Sequence, residues 1–224
     1  MTRSDQSQAA LEWRDAVIPI STRFDDPYFS LADGLAETRH VFLHGNDLPA
    51  RFAPSFHIAE LGFGTGLNLL ATVIACRDIP IRFTSFEAYP MTAQEIARAL
   101  TAFPEARAVA DPFLHAWEDG ARQFRIGAVE VDVVIGDARE TLPQWGGCAD
   151  AWFLDGFSPA KNPELWSPEL MAQVGLHTRA GGSCATYTAA GFVRRGLQAA
   201  GFSVTRIAGH GHKRHMTIAK KDAT

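Results

Sequence analysis

Acidic residues recur at the ends of apolar runs in this sequence, and the first of them opens a glycine-rich turn, Glu60-Leu-Gly-Phe-Gly-Thr-Gly66. Glycines at 62, 64 and 66 let a ligand approach the backbone closely, and a helix starting just after them offers unpaired N–H donors. A dinucleotide fingerprint would put its third glycine at position 67, which is Leu67, so the spacing favours a different nucleoside-type ligand. The carboxylate of Glu60 would repel a pyrophosphate but suits the charged amino-acid part of S-adenosylmethionine. Glu87 ends the next run, 21 residues beyond Gly66, where an acid accepts from both hydroxyls of a ribose. Asp137, in Ile-Gly-Asp-Ala, ends a third and offers an acceptor to an adenine amine. Asp155 ends a fourth, and the Gly, Phe and Pro that follow aim its carboxylate toward the same crevice. A single acid of this kind is an ordinary solvent-facing strand end, and a tight turn alone is common. Their combination carries the reading.

These residues need a scaffold that sets several strand ends side by side. From Phe56 onward, short apolar runs alternate with helical patterns, the mark of crossover units and a parallel sheet. Strands are expected at 56–61, 82–87, 150–156 and 183–188, with helices at 67–76, from Thr92 to about Ala102 and at 189–200. Thr92 and Glu95 form a capping box, and Gly201 stops the last helix. Residues 103–128 are long for a crossover and read as an insertion with one short helix; a hairpin turning at Gly127-Ala128 follows. The segments 202–209 and 215–221 are expected to pair antiparallel. Residues 1–15 read as a polar lead-in. The stretch to about Ser55 shows no sustained period and reads as a cap outside the core, giving a cap over 1–55 and a catalytic part over 56–224 within one structural domain.

Composition limits the classes open to this chain. Of its 224 residues 46% are hydrophobic and 21% charged, which is ordinary globular usage and excludes disorder and collagen. The start is polar rather than basic-then-apolar and no apolar run is long enough to span a bilayer, so a soluble cytoplasmic protein without a membrane partner is expected. Cys76, Cys148 and Cys184 are far apart and lack metal spacing, which indicates neither a disulfide framework nor a zinc site. The net charge of -4 conceals an asymmetry: residues 1–169 hold 13 Lys/Arg against 24 Asp/Glu, and residues 170–224 hold 8 against 1. Arg179, Arg194, Arg195, Arg206, Lys213, Arg214, Lys220 and Lys221 accumulate there with His210, His212 and His215. The segment either faces a polyanion or is a set of solvated faces on separate elements. The alternation of the histidines with Lys213 and Arg214 opposes a divalent metal, and no metal is expected.

The most specific stretch is Asp150-Ala-Trp-Phe-Leu-Asp-Gly-Phe-Ser-Pro-Ala-Lys-Asn-Pro-Glu-Leu-Trp166. With ELGFGTGLN, SFEAYP, GDA, AGFVRRGL, FDDPYFS and VFLHGNDLPARF, it closely resembles the methyltransferase half of the bifunctional enzyme that makes 5-methylaminomethyl-2-thiouridine in tRNA, over residues 16–219. The resemblance implies an α/β, Rossmann-like class I methyltransferase fold with a mostly parallel seven-stranded sheet and a terminal antiparallel strand. It implies transfer of a methyl group from S-adenosylmethionine, leaving S-adenosylhomocysteine, to the 5-aminomethyl amine of the wobble uridine, with the tRNA anticodon loop as partner. Glu60, Gly62, Phe63, Gly64, Thr65, Gly66 and Asn68 would line the methionine part of the cofactor, Glu87 and Ala88 the ribose, and Asp137 and Ala138 the adenine. Asp155 would stand at the methyl group and the receiving amine. Tyr28, Phe157, Lys161, Lys213 and Arg214 are expected on the substrate side, with Phe24, Phe29 and Trp166 as further stacking surfaces or core. The flavin-dependent domain of the bifunctional relatives is not expected in a chain ending at Thr224. The sequence departs from the commoner family pattern at His44, where relatives carry Gly, and in GHGHKRHM, where a Gly-Arg-Lys-Arg tail is usual.

Three other activities share parts of this pattern. A methyltransferase for a protein or small-molecule amine would use the same cofactor residues without salt-sensitive RNA binding. An NAD-dependent oxidoreductase would keep the glycine turn and Glu87. A binding module would have no activity for Asp155 to support.

Overall fold

The computed structural model describes residues 8–30, 33–211 and 213–222. Three short strands open the chain, β1 (Leu11–Arg14), β2 (Ile18–Ser21) and β3 (Asp26–Pro27), in an antiparallel sheet of their own. The helix α1 (Gly34–Thr38) follows; the Asp33 side chain caps it by accepting from the Ala36 N–H at 2.9 Å. It runs on into a π-helical turn at Arg39–Leu43 and a 3-10 turn at His44–Asn46.

The main body alternates as the sequence leads one to expect. It runs β4 (His57–Leu61), α2 (Leu67–Cys76), β5 (Ile81–Glu87), α3 (Ala93–Leu100), α4 (Pro104–Arg107), α5 (Asp111–Glu118), β6 (Gln123–Ile126), β7 (Val129–Ile135) and α6 (Ala138–Thr141). It continues with β8 (Ala149–Leu154), α7 (Pro168–Leu176), β9 (Thr178–Thr186), α8 (Gly191–Ala199), β10 (Phe202–Ala208) and β11 (His215–Lys221). The strands form one sheet in the order β10-β11-β9-β8-β4-β5-β7-β6. Neighbours from β9 to β7 are parallel, while β11 and β6 run antiparallel to theirs. From β4 the chain winds one way through β5 and β7 and the other way through β8 and β9, which opens a crevice beyond their carboxyl ends.

Both sheet faces are covered, so all five residues of β4 are buried. Ile58, Phe83 and Phe153 fill one side, and Ala59, Leu61, Trp152 and Leu154 the other. The sheet has eight strands because the hairpin through Gly127-Ala128 adds β6 at the edge. The insertion holds two short helices instead of one, since Pro104 and Pro112 each begin a new first turn. The segment after Trp166, unassigned from sequence, forms α7 behind a Ser167 cap.

The cap is not outside the core. Val41, Phe42 and Leu43 are buried and join the cluster that packs on the sheet. Asn46 bonds this segment to the strands, donating from Nδ2 to the Trp152 carbonyl at 3.2 Å and accepting the Ser183 hydroxyl at 2.6 Å. A π turn spaces its apolar residues on neither the helical nor the strand period, so sequence templates pass over it.

Candidate active site

A cavity of about 580 Å³ lies at the carboxyl ends of the parallel strands, between them and the cap. This is the size range of pockets for nucleoside-like ligands. Gly62, Phe63, Gly64, Thr65, Asn68, Glu87, Ala88, Asp137, Ala138 and Asp155 line it, and so do Tyr28, Phe157 and Lys213. Most of the residues expected to hold a cofactor therefore share one chamber with three of those expected to meet a substrate.

Glu60 and Gly66 stand behind its wall. Glu60 is fully buried; Ser85 donates to its Oε2 at 2.6 Å and Asn68 to its Oε1 at 2.8 Å. Burial pushes its carboxyl well above the usual range, partly offset by those two bonds. Asn68, near the start of α2, donates its other amide hydrogen to Asp155 Oδ2 at 2.8 Å, and its Oδ1 accepts the Thr38 hydroxyl at 2.9 Å. The amide is thus satisfied on every side and its orientation is set by its partners. Asp155 Oδ1 accepts the Gly156 N–H at 2.8 Å. Burial raises the Asp155 carboxyl to about 6, against the bonds from Asn68 and Gly156 and the charge of Lys213.

The glycine turn is tied to the end of β5 by Glu87, which accepts from the Gly64 N–H at 2.9 Å and the Tyr89 N–H at 2.8 Å. Burial nevertheless holds the Glu87 carboxyl above its ordinary value. Gly62 has φ +83°, and a Cβ there would lie 3.1 Å from the Gly156 backbone, so the glycine turn and the Asp155 turn touch. Asp137 caps α6 by accepting from the Arg139 N–H at 2.9 Å; its ion pair with the Arg139 side chain holds its carboxyl below the usual range.

On the cap side, Phe157 stacks on Phe24 at 4.7 Å and meets the edge of Tyr28 at 4.9 Å. Phe24 and Phe29 also line the chamber, while Trp166 is core, its indole donating to the Phe157 carbonyl at 2.9 Å. Lys161 is outside the cavity, exposed and paired with Asp25, and Arg214 is exposed beyond its rim. Several wall residues escape the sequence reading, among them Glu37 and Thr38 of α1 and Tyr187 after β9. The only trace of the first two was Asp33 three residues before Ala36, a helix-start signal too weak to mark a site.

The basic segment divides between the two ends of the sheet. The β10–β11 register puts Arg206, Lys213 and Arg214 at the cavity end, with Arg194 and Arg195 on the helix that leaves β9 there. Arg179 pairs with Asp150 at 3.3 Å and Lys221 donates to the Gly175 and Thr178 carbonyls, both at the far end. The His40 ring lies between two other imidazoles, 6.4 Å from His44 and 5.6 Å from His210, ring to ring. His212 lies outside the described residues. Among the described residues no three ligand-type side chains gather as a metal site, and no helix is long and apolar enough to cross a membrane.

An open parallel sheet with a switch-point crevice, a glycine turn and acids at its strand ends defines a nucleoside-cofactor enzyme of the doubly wound class. Residues 104–222, just over half the chain, match the profile of a family described as S-adenosyl-L-methionine-dependent methyltransferases, and the chain belongs to that family. Its cofactor is accordingly S-adenosylmethionine. The chain is 43% identical over 242 residues to the "tRNA 5-methylaminomethyl-2-thiouridine biosynthesis bifunctional protein MnmC" of Aeromonas hydrophila, covering 99% of this chain and 36% of that protein. It is 46% identical over 228 residues to the protein of the same name from Caulobacter sp. strain K31, covering 94% and 38%. The chain thus spans little more than a third of the length of these relatives. The crystal structure of MnmC2 from Aquifex aeolicus superposes with a TM-score of 0.77 at 23% identity, covering 99% of this chain and 72% of that one, which shows the shared fold.

Proposed function

We propose that this protein methylates the 5-aminomethyl amine of the wobble (2-thio)uridine in the anticodon loop of tRNA, giving 5-methylaminomethyl-2-thiouridine where the base carries sulfur. The observation that carries the reading is Asp155: an acid raised to about 6, oriented by Asn68 and standing where the glycine turn meets the substrate-side wall. The name of the bifunctional relatives supports the choice of substrate. On this reading the protein acts in the cytoplasm, and residues 1–55 serve as its substrate-side cap.

The geometry of the wall supports the cofactor assignment. Gly62 and Gly64 lie on the cavity with positive φ, a Cβ at Gly62 would press on the Gly156 backbone at 3.1 Å and one at Gly64 on the Tyr28 ring at 3.3 Å, and the Glu87 carboxylate is set beside them by backbone donors. Phe63, Gly64, Thr65 and Asn68 would hold the methionine part, Glu87 and Ala88 the ribose, and Asp137 and Ala138 the adenine. Glu60 acts through Asn68 rather than by contact. When bound, S-adenosylmethionine supplies a methyl group activated by its sulfonium.

The remaining work belongs to the chain. An amine of lysine-like basicity has a pKa of about 10, so freeing its lone pair at pH 7 costs about 4 kcal/mol. Asp155 orients the amine and takes the proton it releases, which an acid near 6 does with less penalty than one near 4. Tyr28, Phe24 and Phe157 give a base splayed from a single-stranded loop something to stack on. Lys161, Arg214 and their basic neighbours would meet phosphates.

The test is nucleoside mass analysis of tRNA bearing the aminomethyl group, incubated with S-adenosylmethionine and either wild type or Asp155→Ala. Addition of 14 mass units (about one CH₂) with wild type and a loss of at least ~100-fold in the variant are expected. Unmodified tRNA with wild type, while the cofactor binds, would refute the substrate.

A further inference from the structure

The Lys213 ammonium lies 2.7 Å from Glu37 Oε1 and 4.0 Å from the centroid of the Tyr187 ring, on the cavity wall that also carries Asp155. Each part of this seat except the lysine is built in. The Glu37 side chain is 11% exposed, and among the described residues Lys213 is its one ion-pair partner. The Tyr187 ring is held in place by its hydroxyl, which donates to the Gly156 carbonyl at 2.8 Å, and by the edge of Trp166 at 6.1 Å. Lys213 itself is 44% exposed and comes from the connection between β10 and β11. A buried carboxylate beside an aromatic face is a complementary site for a primary alkylammonium. A half-exposed ion pair is cheap to exchange.

We propose that Glu37 and the face of Tyr187 form the subsite that receives the alkylammonium group of the substrate, and that Lys213 fills this subsite until the substrate displaces it. The inference rests on the amine-methylating activity proposed above and adds to it. It identifies the side chains that select a primary ammonium before Asp155 takes its proton, and it makes Lys213 an internal competitor. Glu37 and Tyr187 are specificity-determining on this account.

The subsite can be tested without turnover. Lys213→Ala should unfold at a lower temperature than wild type, and n-butylammonium chloride should restore about 3 °C more than the same concentration of potassium chloride. Wild type and Lys213→Ala/Glu37→Gln should show no such excess. Lys213→Gln, which keeps the reach of the side chain without its charge, provides the comparison again if the alanine variant folds poorly. In methyl transfer to aminomethyl-tRNA, n-butylammonium should inhibit Lys213→Ala competitively with a Ki about tenfold below that for wild type, since the competing charge-assisted contact is gone. Glu37→Gln should raise KM by about tenfold. Equal responses to the two salts in every variant would overturn the subsite. A specific thermal response with no methylation of tRNA by wild type would retain the subsite and count against the proposed substrate.

Discussion

Asn68 divides its two amide hydrogens between a fully buried carboxylate, Glu60, and the one that faces the chamber, Asp155. It therefore sets both the position of Asp155 and part of its acidity. Replacing it with Ala removes a donor that lowers the Asp155 pKa, so the acid limb of the pH–rate profile, expected near 6 in wild type, should move to higher pH, and kcat should fall by about 10- to 100-fold. An unshifted limb would separate Asp155 from the proton transfer. Burial of Asp155 also has a stability cost with a definite sign. Its folded pKa is about 6 against an ordinary carboxyl value of 3.8, so the folded state prefers the protonated form. The destabilisation is absent below 3.8 and reaches its full size as pH rises through 6. Asp155→Asn should accordingly raise Tm at pH 8, by about 1 kcal/mol of stability, and leave it unchanged near pH 3.

At the scale of elements, the glycine turn is the joint on which the site depends. Gly66 has φ +73°, and a Cβ there would lie 2.9 Å from the Phe113 ring on α5. Gly66→Ala should cost about 1–3 kcal/mol in urea unfolding and weaken S-adenosylmethionine in calorimetry, because α2 would shift and take Asn68 with it. The capping box of α3 provides a contrasting case. Thr92 accepts from the Glu95 N–H at 3.2 Å and Glu95 accepts from the Thr92 N–H at 2.8 Å. Thr92→Ala should cost about 1 kcal/mol with the cofactor Kd unchanged, since α3 contributes nothing to the chamber wall.

For the whole molecule, the fold decides which basic residues share the end of the sheet that bears the cavity. Arg206 and Arg214 are at that end, and Lys220, opposite Ser183 in the register, lies further down β11. If the cavity end receives RNA phosphates, Arg206→Ser/Arg214→Ser should weaken tRNA binding and reduce the slope of log K against log salt by about 2. Lys220→Ser should change neither in the same filter-binding or fluorescence titration. Equal effects from both ends would assign the charge to general attraction instead of a docking face.

Much of this was written locally. The alternation of strand and helix, the capping box at Thr92, the hairpin at Gly127 and the acids at strand ends all depend on residues a few positions apart, and the sequence determined them, with most of the expected side chains in one chamber. The tertiary structure alone decided what depends on distant contacts. Glu60 is one layer below the surface because Ser85 of a neighbouring strand and Asn68 of the next helix claim its two oxygens. Glu37 and Tyr187, 150 residues apart, meet only when the cap folds back over the sheet, and the cap enters the core on a π-turn spacing that no simple period reveals. The basic run splits because β11 crosses the full height of the sheet, carrying its charges from one end to the other. Local periodicity specifies elements, whereas solvent exclusion between elements specifies which charges remain available to a ligand.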